Sequence, residues 1–209
     1  MERNVLYTRS AGGSFEYSKG ELNETLVEKA VEFFQSNAGD DCSIHIDRTC
    51  VTEPYNVADE LEKYKRADLI VYQSPTHSMG LPWEAKKWAD EVWTAGMKGA
   101  LTKGDGRSRT SPQDGYGSGG TLQGKMYMLS VTFNAPRGAF DRPDQYLLQG
   151  KSVDDLWFPF HVNNRFFGLQ QIPDSTFAVF DVMKNPTIEE DLDRYEEHLA
   201  NLFNRRSRS

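Results

Sequence analysis

The chain has 209 residues, enough for one domain with its own core, since a domain usually holds roughly 100–200 residues. Hydrophobic residues at 38% and charged residues at 26% exclude a disordered chain, and a net charge of −7 excludes the globally basic surface that draws in nucleic acid. Any phosphate must therefore be bound by a local cluster of cations or backbone amides. Cys42 and Cys50 match neither a disulfide framework nor a zinc motif, and His45, His77, His161 and His198 include no i, i+4 pair, so no metal site is expected. The N-terminus lacks the apolar stretch of a signal peptide, and no run approaches the roughly 18 apolar residues of a membrane span. A cytoplasmic protein without a nucleic-acid partner is the expectation.

Short β-type runs alternate with longer amphipathic ones, as in a parallel sheet covered by helices. Residues 4–8 predict a first strand, followed by a loop with Gly12 and Gly13 and a helix with Leu22, Leu26, Ala30 and Phe33 as its stripe and Ser18 as its cap. Cys42, Ile44 and Ile46 alternate as in a half-buried strand, and residues 56–67 predict a charged surface helix. Residues 68–73 give the third strand. Pro82 suits the first turn of the next helix, whose buried side is Ala85, Trp88, Ala89, Val92 and Trp93. From 96 to 124 the pattern stops, leaving a Gly-, Ser- and cation-rich excursion that is either functional or disordered. Residues 125–133 predict a fourth strand, 153–167 a helical stretch bent at Pro159, and 176–182 a fifth strand. Ile188, Leu192, Tyr195, Leu199 and Leu202 mark a last helix before a basic tail at 205–209, expected to fray.

Five such units suggest a flavodoxin-like doubly wound α/β sheet of order 2-1-3-4-5, which binds ligands at the carboxyl ends of its strands. The segments after strands one, three and four should then meet. The first, with Gly12, Gly13, Ser14, Tyr17, Ser18, Lys19 and Gly20, opens a helix and suits an anion, though the same residues also serve an ordinary capped connection. It lacks the spacing of a P-loop and of a dinucleotide-binding strand turn. The second, from Pro75 to Trp83, is stiffened by a proline near each end and suits a flat ring, with His77 either catalytic or an ordinary loop histidine. The third, Thr132-Phe133-Asn134-Ala135-Pro136, presents a hydroxyl, an amide and backbone N–H groups, and equally fits a plain strand-ending turn. In the excursion, Arg107 and Arg109 could hold a phosphate and Tyr116 could stack on a ring, or the segment could be a solvated loop.

Taken together, several motifs resemble the modulator of drug activity B family of flavodoxin-like NADPH:quinone oxidoreductases. They are Gly20-Glu21-Leu22-Asn23-Glu24-Thr25-Leu26, Met79-Gly80-Leu81-Pro82-Trp83, Asp105-Gly106-Arg107-Ser108-Arg109, Tyr116-Gly117-Ser118-Gly119-Gly120, Gln123-Gly124-Lys125, Thr132-Phe133-Asn134-Ala135-Pro136, residues 156–161 and Tyr195-Glu196-Glu197-His198-Leu199. Order and spacing agree over roughly residues 15–203.

The resemblance implies a flavin-binding domain over residues 1–204 with the 96–124 excursion as a cofactor and substrate loop. It also implies noncovalent FAD rather than FMN, NADPH as co-substrate, a quinone or similar flat acceptor, and a homodimer whose partner helps complete each site. By position, Tyr17, Ser18, Lys19, Gly20, Leu22 and Asn23 would contact the phosphates and ribityl chain. Pro75, Thr76, His77 and Ser78 would face the ring on one side, Thr132, Phe133, Asn134 and Ala135 on the other, with Tyr116 also in contact. The expected reaction is two-electron, ping-pong hydride transfer from NADPH through the flavin to the quinone. His77 is the candidate catalytic proton donor, and Lys103, Arg107, Arg109 and Lys125 are the candidate partners of a 2′-phosphate. Thr76-His77-Ser78 stands where the family commonly has aromatic residues, which makes the pocket more polar and keeps open an alternative: a flavin-binding regulatory or partner subunit with little turnover.

Overall fold

The computed structural model describes residues 2–9, 19–37 and 43–206. Five strands, β1 (Glu2–Arg9), β2 (Ser43–Cys50), β3 (Leu69–Pro75), β4 (Met126–Thr132) and β5 (Gln170–Val179), form a parallel sheet in the order β2-β1-β3-β4-β5. This is the expected doubly wound topology. Six helices cover it: α1 (Glu21–Ser36), α2 (Val57–Arg66), α3 (Trp83–Gly96), α4 (Val153–Leu156), α5 (Phe158–Phe166) and α6 (Ile188–Arg206).

Alternation along the strands divides the core into two layers, because successive side chains leave opposite faces. Val5, Tyr7, Leu69, Val71, Met128 and Val179 meet Leu26, Ala30 and Phe34 of α1 and Tyr195 and Leu199 of α6. Leu6, Ile70, Tyr72, Tyr127, Leu129 and Val131 meet Tyr64 of α2, Trp88, Val92 and Trp93 of α3, and Phe160 of α5. All seven residues of β3, the central strand, are buried, which explains its unbroken apolar run.

Several boundaries differ from expectation. Gly20, with φ +77, is the N-cap of α1; Ser18, the expected cap, lies outside the described residues, as do Gly12, Gly13 and Cys42. Pro82 is the N-cap of α3 rather than part of its first turn. The stretch from 153 divides at Trp157: a Ser152–Asp155 capping box opens α4, and α5 restarts with Pro159 in its first turn. β5 begins at Gln170 and ends at Val179, earlier than the predicted 176–182. Its first rungs, Met126 with Gln170 and Tyr127 with Gln171, precede a register shift, so a polar opening hid a strand that pairing with β4 imposes. Finally, α6 runs through Arg206, so two residues expected in the basic tail continue the helix, and 207–209 lie outside the described residues.

The excursion after α3 is the main correction to the expected site. In a doubly wound fold each helix runs against the strands, so the end of α3 delivers the chain to their amino ends, opposite the ligand edge. There Thr102 bridges Gly120, the Thr121 N–H donates to the Leu101 carbonyl at 2.9 Å, and the Leu122 N–H donates to the Phe167 carbonyl at 2.9 Å. Leu101 and Leu122 are buried in the core. Within one chain this loop is a folded anchor and not a wall of the expected pocket.

Candidate functional site

At the carboxyl edge, the segments following β1, β3 and β4 enclose a cavity of about 550 Å³, as expected. Lys19, Gly20, Glu21, Leu22 and Asn23 line one side, Pro75, Thr76, His77 and Ser78 a second, and Thr132 and Asn134 a third. The first side is the start of α1. Its earliest intrahelical bond runs from the Glu24 N–H to the Gly20 carbonyl at 3.0 Å, and among the described residues the N–H groups of Glu21, Leu22 and Asn23 donate to no backbone carbonyl, at the end of the helix where the dipole is positive. Glu24 is paired with Arg9 at the end of β1, which offsets a carboxylate that an anion would otherwise meet.

The second side is stiff for a reason beyond its prolines. His77 and Gly80 exchange N–H to carbonyl bonds, each 2.9 Å, and Ser78 and Met79 take φ +47 and +65 in the turn between them. Non-glycine residues in that region cost roughly 1–3 kcal/mol each and persist where their surroundings hold them. The Thr76 N–H donates to the Thr132 carbonyl at 2.9 Å, tying the second side to the third.

On the third side only some of the expected residues face the cavity. Phe133 turns into the core, its ring centroid 5.7 Å from that of Phe180 and 5.1 Å from that of Phe140, and its N–H donates to the Val179 carbonyl at 2.8 Å. Ala135 packs against the core and its carbonyl accepts from the Asp181 N–H. The N–H groups of Asn134 and Ala135 donate to no backbone carbonyl among the described residues. Val182, Met183 and Ile188 add an apolar side that sequence reasoning missed. The signal was the topology itself, because β5 ends at the same edge as the other strands.

Tyr116 is not brought to this cavity within the chain. It lies 72% exposed beside Phe166 at the end of α5, ring centroids 5.7 Å apart, with Arg107 over its ring. Nor do the proposed 2′-phosphate cations reach it. Arg107 is bound at 2.6 Å to Asp105, whose carboxyl it holds below the usual range. Lys125 donates to the Lys65 and Ala67 carbonyls at the end of α2, and burial pulls its ammonium below the ordinary lysine value. Tyr17 and Ser18 lie outside the described residues.

A parallel sheet wound 2-1-3-4-5, with a cavity of amides and hydroxyls at its carboxyl edge, defines a doubly wound α/β protein, a class that binds ligands at the topological switch point. The chain belongs to the flavodoxin-like fold family, matched over residues 10–202, and within it to the relatives of the NADPH:quinone oxidoreductase MdaB. The MdaB protein of Haemophilus influenzae is 42% identical over 192 residues, 92% of this chain and 95% of its own length. An uncharacterized protein of Schizosaccharomyces pombe is 38% identical over 193 residues, 90% of this chain and 92% of its own. Among solved structures, an NADPH-quinone reductase of P. pentosaceus matches with a TM-score of 0.63 at 16% identity, over 94% of this chain and 97% of its own. General stress protein 14 of Treponema denticola, solved with FMN, matches with a TM-score of 0.61 at 19% identity, over 96% of this chain and 99% of its own. At these identities the solved structures show the fold.

Proposed function

We propose that this protein is an NAD(P)H:quinone oxidoreductase that holds a flavin noncovalently in the cavity at the carboxyl edge of the sheet. The observation that carries this reading is the convergence of a helix start, a stiff turn and a donor-bearing strand end around one cavity of about 550 Å³. The donor set fits the group: anion-binding amides at Glu21, Leu22 and Asn23 suit a phosphate, and the Asn134 and Ala135 N–H groups suit the carbonyl edge of a heterocycle. The name of the H. influenzae relative supports the activity. The resemblance favours FAD, whereas the T. denticola structure holds FMN, so the released flavin must be identified.

When bound, a flavin supplies two-electron transfer between NAD(P)H and a quinone that use the same face in turn, which gives ping-pong kinetics. The chain's own residues bind and orient. Lys19, Gly20, Leu22 and Asn23, with Tyr17 and Ser18, hold the phosphate and ribityl portion. Pro75, Thr76, His77 and Ser78 would face the ring from one side and Thr132 and Asn134 from the other, with Ala135 offering only its N–H and Phe133 supporting that side from beneath. His77 hands a proton to the quinone oxygen. Tyr116, at the opposite edge of its own chain, acts across a homodimer in the partner's site, and exposed Phe158 and Val162 on α5 provide apolar surface for that assembly. The working compartment is the cytoplasm.

Purified protein should show flavin absorbance bands that bleach with NADPH without oxygen and return on adding a simple benzoquinone. Absence of NAD(P)H oxidation overturns the enzyme reading; absence of any flavin binding overturns the site.

A further inference from the structure

Gln73 stands on β3, on the face that carries Leu69 and Val71 toward α1. It is 1% exposed, and its Nε2 donates to Asn23 Oδ1 at 2.8 Å. Asn23, itself 5% exposed, is the third residue of α1 and lines the cavity, while Gln73 sits behind it and does not. The two ends of a carboxamide are chemically opposite, since the oxygen only accepts and the nitrogen only donates. Whichever end Gln73 holds therefore determines which end Asn23 shows to a ligand. With Oδ1 taken by Gln73, what Asn23 has left to offer at the start of α1 is the pair of Nδ2 donors. The Asn23 Nδ2 group and the N–H groups of the helix start are then all donors, which favours an anion there, while the Glu21 carboxylate also lines that side. The reverse pairing would use Gln73 Oε1, which is buried without a partner, and would turn Asn23 Oδ1 toward the same anion.

We propose that Gln73 is a positioning residue: by donating to Asn23 Oδ1 it fixes the Asn23 amide as a hydrogen-bond donor to the phosphate-bearing part of the bound flavin. The inference rests on the flavin reading and adds a residue that touches no ligand. Phosphorylated and unphosphorylated flavins must then respond differently to the loss of Gln73.

The test is titration of FMN, FAD and riboflavin, followed by flavin fluorescence, into wild type, Gln73→Met, Asn23→Ala and the double variant. Gln73→Met should weaken FMN and FAD about fivefold or more and leave riboflavin unchanged, as expected for disordering one charge-assisted bond. In the Asn23→Ala background the same substitution should have no further effect on FMN. Gln73→Leu, of similar volume, serves if the methionine variant does not fold, and melting temperatures confirm that the compared proteins are folded. Equal weakening of all three flavins would make Gln73 a mere fold support and overturn the proposal, as would unchanged affinity for all. Wild type that binds no flavin overturns the flavin reading itself, a result distinct from either.

Discussion

His77 brings an imidazole, the side chain suited to proton exchange near neutrality, to a cavity wall whose backbone is held by paired hydrogen bonds to Gly80. If it protonates the quinone oxygen, His77→Gln should slow quinone reduction by about a hundredfold, the low end of general acid catalysis, and leave flavin reduction by NADPH unchanged. Stopped-flow measurement of the two half-reactions separates these; equal rates in the variant remove His77 from the chemistry. A second histidine acts on stability. Tyr127 Oη and His161 Nδ1 are 2.8 Å apart, and His161 Nε2 lies 3.2 Å from Asp154 Oδ1. The His161 ring holds the Asp154 carboxyl below its ordinary value, against the opposing effect of its partial burial. A depressed carboxyl stabilises the fold above its unfolded pKa and loses that contribution as pH falls through the folded one. Asp154→Asn should therefore melt below wild type at neutral pH, and the gap should close on acidification; a gap independent of pH rules out the ionised carboxyl as its source.

At the scale of elements, the excursion after α3 shows why composition misleads. Its composition left a functional or a disordered segment equally open, yet several of its glycines are sites of close backbone approach. A Cβ at Gly120 would fall 2.2 Å from the Phe167 carbonyl carbon, so Gly120→Ala should cost about 1–3 kcal/mol by overpacking. A Cβ at Gly80 meets nothing within 4 Å, and Gly80→Ala should stay within about 0.5 kcal/mol of wild type. Urea unfolding of the two variants checks both values, and equal midpoints would mean that the loop is slack after all. Elements with strong internal signals were legible: the apolar run of β3, the charged helix α2, the Tyr195 and Leu199 stripe of α6, and Leu26 and Ala30 of α1, although Val27, Val31 and Phe34 are buried there more fully than the expected Leu22 and Phe33. The start of β5 was not, because Gln170 and Gln171 are strand residues only through their pairing with Met126 and Tyr127.

At the scale of the molecule, the proposed homodimer gives Tyr116 a part in both site and assembly. Its position at the amino edge means that a contact with flavin requires a second chain. Tyr116→Ser should lower flavin affinity by about tenfold, the loss of one aromatic stacking contact, without dissociating the proposed dimer. Mixing Tyr116→Ser chains with Asn23→Ala chains should restore one intact site per heterodimer, read as recovered flavin binding in mixed samples. A monomer in sedimentation at working concentration, with full flavin affinity, refutes the shared site.

The sequence by itself determined the strand order, the three segments that meet at the carboxyl edge and the family, because these follow from alternating periodicity and from motifs local in the chain. Only the tertiary structure decided which groups remain available there. It committed the Phe133 N–H to β5, turned the Phe133 ring into the core, added Val182, Met183 and Ile188, and carried Tyr116 and the excursion to the far edge. Backbone hydrogen-bond partners and helix direction are set by residues distant in the chain, so no local pattern encodes them.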